Sequence, residues 1–173
     1  SQAGFFDDHR ILLVTRDPLD RLISFYRNWF VDKDADFTGP NDPVNRHFVN
    51  LRERAGKEAS DPFFTASRNE RGSRPFFDAW LDWLPSMWPM DEHLWPQHLI
   101  YSTASLELER IERFDVRSLE KVAAITELDL SVTLNRSRGG APDDLRSEHA
   151  KMIAMIVYRR DYQDLNYSLG SAL

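Results

Sequence analysis

An arginine closes an apolar run in "ILLVTRDPLDRLISFYRNWF", residues 11–30, and a serine follows it eight positions later. A guanidinium is a planar fork of N–H donors that can take two oxygens of one phosphate or sulfate. Arg16 is the candidate for that role. Ser24 would add a hydroxyl if it lies on a helix, where side chains lean back toward the N-terminus. The alternative is an ion pair between Arg16 and Asp17 or Asp20, with Ser24 simply solvated. Residue types alone leave both readings open.

Other residues with chemical potential are scattered. "NRSRGG" offers Ser137, Arg138 and two glycines, a composition that can wrap a phosphate with amides, a hydroxyl and a guanidinium, or form a solvated loop. Of five histidines, His9 precedes the first strand, and His47 and His149 fall on predicted helices. His93 and His98 flank "LWPQ". His93 is the one local candidate for a general base; the competing role is capping a turn or packing on Trp95. Gln97 can bond a sugar hydroxyl or support a buried loop. Asp161 and its neighbouring tyrosines are read as structural. The aromatic segment from Trp80 to Trp95 could stack a base or sugar, but such residues more often form core. No metal site is expected.

These residues need elements to position them. "RILLVTR" predicts a strand buried on both faces, as in a parallel sheet, with Arg16 at its carboxyl end. Leu19, Leu22, Ile23, Tyr26 and Phe30 recur at helical spacing, so Pro18 to Phe30 is a predicted helix with Asp17 as its cap. A second helix runs over "PVNRHFVNLRERAG", closed by Gly56. "RNERGSR" is a predicted loop. Phe77, Trp80, Leu81 and Leu84 mark a third helix, stopped by Pro85, before the irregular "SMWPMDEHLWPQH". "HLIYS" and "LELERIERF" are predicted strands, and a helix through Leu119, Val122, Ala123 and Thr126 follows Asp115. "LDLSVTLN" is a strand or an extended connection. A final helix carries Met152, Ile153, Ile156 and Val157. Alternating strands and helices define an α/β domain. Ligands of open α/β sheets bind beyond the carboxyl ends of the strands, where Arg16 would lie.

Composition narrows the partners. A chain of 173 residues predicts one domain, with five tryptophans and eleven phenylalanines to fill its core. The net charge of -6 has no basic stripe within it, which argues against nucleic acid. A few arginines can still build a local anion site. The absence of cysteine excludes a disulfide scaffold and favours a reducing, cytoplasmic compartment. No apolar stretch approaches the roughly 18 residues of a membrane span. The residues do not report an oligomeric state.

"RDPLDRLISFYRNWF" resembles the 3′-phosphate-binding motif of the carbohydrate sulfotransferases, through Arg16, Asp17, Pro18, Arg21, Ser24 and Tyr26. "EHLWPQHLIY" is similar to that family's histidine and Pro-Gln segment, and "LERIERFDVRSLEKV" to its strand, acidic residue and helix. "LNRSRG" resembles its Asn-x-Ser loop, and "VYRRDYQDLNY" its closing tyrosine-rich helix end. The resemblance runs from about residue 9 to about 167. It implies a P-loop-NTPase-like three-layer fold with a central, mainly parallel sheet. It further implies 3′-phosphoadenylyl sulfate (PAPS) as sulfuryl donor, its product adenosine 3′,5′-bisphosphate (PAP), and a saccharide or related hydroxyl acceptor. Arg16 and Ser24 would hold the 3′-phosphate, with Ser137 and Arg138 closing over it.

The family's strand, P-loop and helix for the 5′-phosphosulfate have no counterpart before His9, and Gly39 and Gly140 lack a neighbouring lysine. Either the sequence is incomplete at its N-terminus or the site has been lost; the first is favoured, because the other ligand-binding segments are present. Two rival functions remain: a nucleotide-binding or regulatory domain without transferase activity, and a P-loop kinase-like phosphotransferase. No aspartate–magnesium arrangement of the kinase type is visible.

Overall fold

The computed structural model describes residues 9–32, 49–50, 52–54, 56–58, 60–90, 92–103, 108–127 and 145–168. The chain clusters into two units: Ser1–Pro18, Pro96–Arg136 and Tyr158–Leu173 form one, Leu19–Trp95 and Ser137–Val157 the other.

The first unit is built on two parallel strands, β1 (Ile11–Thr15) and β2 (Ile111–Asp115), in the register Ile11↔Ile111 through Thr15↔Asp115. Branched and aliphatic side chains suit the pleat. Tyr101, Ile111 and Leu165 are buried together, with Ile11, Leu13, Leu108 and Tyr167 packed on them. Burial of β1 on both faces is not observed, since Ile11, Leu12 and Leu13 are half-buried and Val14 is 39% exposed. Among the described residues β1 has a single ladder partner, β2. The strand ends at Thr15, one residue before Arg16.

Two further segments of this unit differ from expectation. "HLIYS" is helical, His98–Thr103, because its first donors find an acceptor in Asp161 and need no ladder. Within "LELERIERF", Leu108–Arg110 is a 3₁₀ turn and Ile111 to Phe114 are extended in a strand that runs on to Asp115; Leu106 and Glu107 lie outside the described residues. After β2 the Asp115 side chain accepts from Arg117 N at 2.8 Å, starting a 3₁₀ turn that leads into the expected helix, Leu119–Thr126. Helix Arg159–Asp164 completes the unit, joined to His98–Thr103 by the Tyr101 hydroxyl, which donates to Asp164 at 2.8 Å.

The second unit is helical. Helix α1, Pro18–Tyr26, buries Leu19, Leu22, Ile23, Phe25 and Tyr26, then widens into a π-helical segment, Arg27–Asp32. The widening sets Arg27 and Asp32 on one face, where they pair at 3.6 Å; in an α-helix residues five apart diverge. Tyr26, Phe77 and Trp80 form the aromatic centre, with ring centroids 4.8 Å apart for Tyr26–Phe77 and 5.1 Å for Tyr26–Trp80. Phe30 and Phe63 meet edge-on beside them at 5.5 Å.

Local signals explain the remaining helices. Gly56, with φ of 64°, ends the preceding turn as expected: its N–H reaches Glu53 O and that of Lys57 reaches Arg52 O, the paired bonds of a Schellman motif. "RNERGSR" is not a loop. Ser67 and Glu70 form a capping box for Arg68–Arg71, and Ser73 is the N-cap of Arg74–Leu81. Pro85 does not stop a helix but sits in the first turn of Leu84–Met87, where a missing N–H costs nothing.

Helix Glu148–Val157 is tied to Arg74–Leu81 through Ser147, whose hydroxyl donates to Asp78 at 3.2 Å and accepts from Ala150 N. It buries Ala150, Ile153 and Ala154, while Met152 and Ile156 face solvent, because small residues allow close approach to the neighbouring helices. Other expected elements lie outside the described residues, namely "LDLSVTLN", "NRSRGG" and most of the helix closed by Gly56.

The Tyr26 hydroxyl donates to the buried Arg71 carbonyl oxygen at 2.6 Å. Tyr26→Phe leaves that carbonyl without its donor and is expected to cost about 1–3 kcal/mol in urea unfolding at unchanged m. A smaller loss would show that the carbonyl is readily solvated.

Candidate functional site

The carboxyl end of β1 is held by a polar cluster. The Thr15 hydroxyl lies 2.8 Å from that of Tyr167, which donates to Asp115 Oδ2 at 3.2 Å. One phenol thus links the last residues of both strands. Burial pushes the Tyr167 phenol up to about 12, assisted by the nearby carboxylates of Asp115 and Asp17. Burial also acts to raise the Asp115 carboxyl, but hydrogen bonds from Arg117 and Tyr167 outweigh it and hold the group below its ordinary range.

Arg16 lies beyond the last ladder pair, where β2 has already turned away. Its backbone is held instead by the buried Gln97 side chain. Arg16 N donates to Gln97 Oε1 at 2.9 Å, and Gln97 Nε2 donates to Arg16 O at 2.7 Å. Gln97 N donates in turn to Asp161 Oδ2 at 2.6 Å, and His98 N to Oδ1 at 2.7 Å. His98 Nδ1 is 2.8 Å from the same Oδ1. Asp161 is fully buried. A carboxylate there is tolerable because donors surround it.

The Arg16 side chain is half-buried and makes no hydrogen bond or ion pair among the described residues. Asp20, one of the acids weighed as its partner, is paired with Arg146. Ser24 is half-buried on α1, and its hydroxyl makes no hydrogen bond among the described residues. Arg16 falls in the first unit, where the structure joins it to Gln97, and Ser24 falls in the second. Ser137 and Arg138 lie outside the described residues, as do Gly39, His47 and Gly140.

His93 is exposed and packs on α1 and its π-helical extension rather than on Trp95, with its ring 5.7 Å from that of Trp29 and 6.3 Å from that of Phe25. Arg21 fixes this segment by donating to Trp95 O at 2.5 Å and His93 O at 2.8 Å. Of the aromatic stretch, Trp80 is core, whereas Trp95 is exposed. The second unit also holds a cleft of about 350 Å³ whose walls include Phe63, Phe76, Trp83, Asp61 and Asp82. Lys57 Nζ stands 5.0 Å over the Trp83 ring there.

The clamps made by Gln97 and Arg21 were not legible in the sequence. Both act on backbone atoms of distant residues, and no spacing encodes such a contact. The Pro-Gln pair ahead of an apolar run, with Asp161 among tyrosines, was the available signal.

A parallel strand pair with flanking helices, with Arg16 just beyond a strand's carboxyl end, makes this an α/β protein, consistent with the P-loop-like type. The family model described as "Sulfotransferase family" matches residues 3–168, and the chain belongs to that family. No curated protein and no solved structure matches it. Among the described residues, no cluster of histidine, cysteine and acidic side chains could hold a metal ion, and no helix is long and apolar enough to cross a membrane.

Asp164 resembles Asp115: burial acts to raise its carboxyl, but hydrogen bonds from Tyr101 and Arg160 prevail and lower it. The unfolded chain therefore takes up these protons at higher pH than the folded one. Their stabilisation is complete above about pH 4 and is lost as pH falls through the depressed folded values. Thermal unfolding should show Tm falling in acid, with a shallower acid limb in Asp164→Asn. An identical limb in the variant would remove Asp164 from this linkage.

Proposed function

We propose that the protein transfers a sulfuryl group from PAPS to a hydroxyl of a saccharide or related acceptor, with the 3′-phosphate of the donor held by Arg16 and Ser24. The observation that carries this reading is the fixed backbone of Arg16 beneath a guanidinium with no partner among the described residues. An arginine in that position suits a phosphate dianion, which a single hydroxyl would satisfy poorly. Membership of the sulfotransferase family supports sulfuryl transfer in general.

In this reading the acceptor oxygen attacks sulfur in line, the new S–O bond forms as the bond to PAP breaks, and a base takes the hydroxyl proton. His93 is our candidate base; its exposure gives it access to a substrate, and Arg21 fixes its segment. The saccharide assignment draws support from the Trp83 cleft, where an aromatic face lies beside carboxylates and an ammonium.

Calorimetry with PAP and with adenosine 5′-monophosphate (AMP) tests the donor assignment. Arg16→Ala should weaken PAP binding at least about tenfold, since a charged hydrogen bond is worth about 1.5–3 kcal/mol. Ser24→Ala should cost less, and neither change should affect AMP. Unchanged PAP affinity in Arg16→Ala would refute the assignment.

The loop "NRSRGG" is proposed to close over the same phosphate through Ser137 and Arg138. Arg138→Ala and Arg16→Ala should then be non-additive in PAP affinity. Additive losses would remove the loop from the site.

A further inference from the structure

Both backbone polar groups of Arg16 are bonded by one side chain, the Gln97 amide. Fixing the N–H and the C=O of one residue fixes the two torsions between them, and with them the direction of its Cα–Cβ bond. The bonds replace a ladder that has ended: Thr15 pairs with Asp115, and the next residue of the second chain segment, Val116, begins a 3₁₀ turn. Gln97 is itself held, because its N–H and that of His98 converge on the two oxygens of Asp161. His98 Nδ1 lies 2.8 Å from the oxygen that already accepts from His98 N. Gln97 and Asp161 are both buried, which limits the access of water to these bonds.

We propose that Gln97 and Asp161 are positioning residues for the anion-binding arginine. Asp161 sets the Gln97 backbone, Gln97 sets the Arg16 backbone, and the Arg16 side chain leaves that backbone in a direction decided before any ligand arrives. Preorganisation of this kind lowers the ordering cost of binding, so its effect falls on the one group that Arg16 recognises. The proposal rests on the assignment of Arg16 to the 3′-phosphate. It gives Gln97 a role without substrate contact, since its side chain is buried and each end of its amide bonds the Arg16 backbone.

The test is the ratio of PAP to AMP affinity, two ligands that differ only in the 3′-phosphate. Gln97→Met keeps the volume of the side chain and removes both bonds; Gln97→Glu keeps the acceptor and loses the donor. Gln97→Met should lower the ratio roughly threefold or more, and should be non-additive with Arg16→Ala, because both act through one guanidinium. Gln97→Glu should fall between Gln97→Met and the unaltered protein, and Asp161→Asn should lower the ratio in the same direction. If Arg16→Ala collapses the ratio but folded Gln97→Met and Gln97→Glu leave it unchanged, the positioning role is overturned while the donor assignment stands. Equal losses for PAP and AMP would mean general loosening and would also overturn it. A ratio insensitive to Arg16→Ala would remove the donor assignment, and the positioning role with it.

Discussion

A carboxylate with no exposed surface must be surrounded by donors, and Asp161 imposes that condition on the first unit. Its two oxygens accept from the backbone of Gln97 and His98, which places the start of helix His98–Thr103 against helix Arg159–Asp164. The Gln97 side chain is thereby directed to the end of β1, where it takes over from a ladder that has run out. Removal of this acid would leave two amide donors buried, and the presentation of Arg16 would lose its base.

The second unit solves a different problem. Its helices are short, and isolated helices of a few turns are marginal in water, so tertiary packing must hold them. The cluster of Tyr26, Phe30, Phe63, Phe77 and Trp80 supplies that packing. Side-chain caps at Asp61 and Ser67 satisfy first-turn donors that no helix can bond internally. The site segments borrow this rigidity: Ser24 sits on a helix whose opposite face is core, and Arg21 on the same helix bonds the carbonyls on either side of Leu94.

The readings that succeeded and failed follow one division. β1, α1, the turn at Gly56 and the helix after Asp115 were legible because each is specified by neighbouring residues: an apolar run, a helical stripe, a glycine with positive φ, a side-chain cap. "HLIYS" was misread because its pattern suits either a strand or a helix, and the deciding partner is Asp161, over sixty residues away. The exposure of Met152 and Ile156 was not visible either, because which stripe of an apolar helix is buried depends on the shape of its neighbours.

The candidate site shows the same division. The sequence by itself determined which groups are available: a guanidinium just past a strand, a serine on the next helix, and motifs whose order resembles one family. Those are local facts of residue type and spacing. Only the tertiary structure decided that Gln97 grips the Arg16 backbone, that Asp161 holds Gln97, and that Asp20 pairs with Arg146 instead of Arg16. Each of these bonds joins residues about 60 to 130 positions apart. A hydrogen bond reaches only about 3 Å, so its partners are set by how the chain folds back on itself and not by any interval along it.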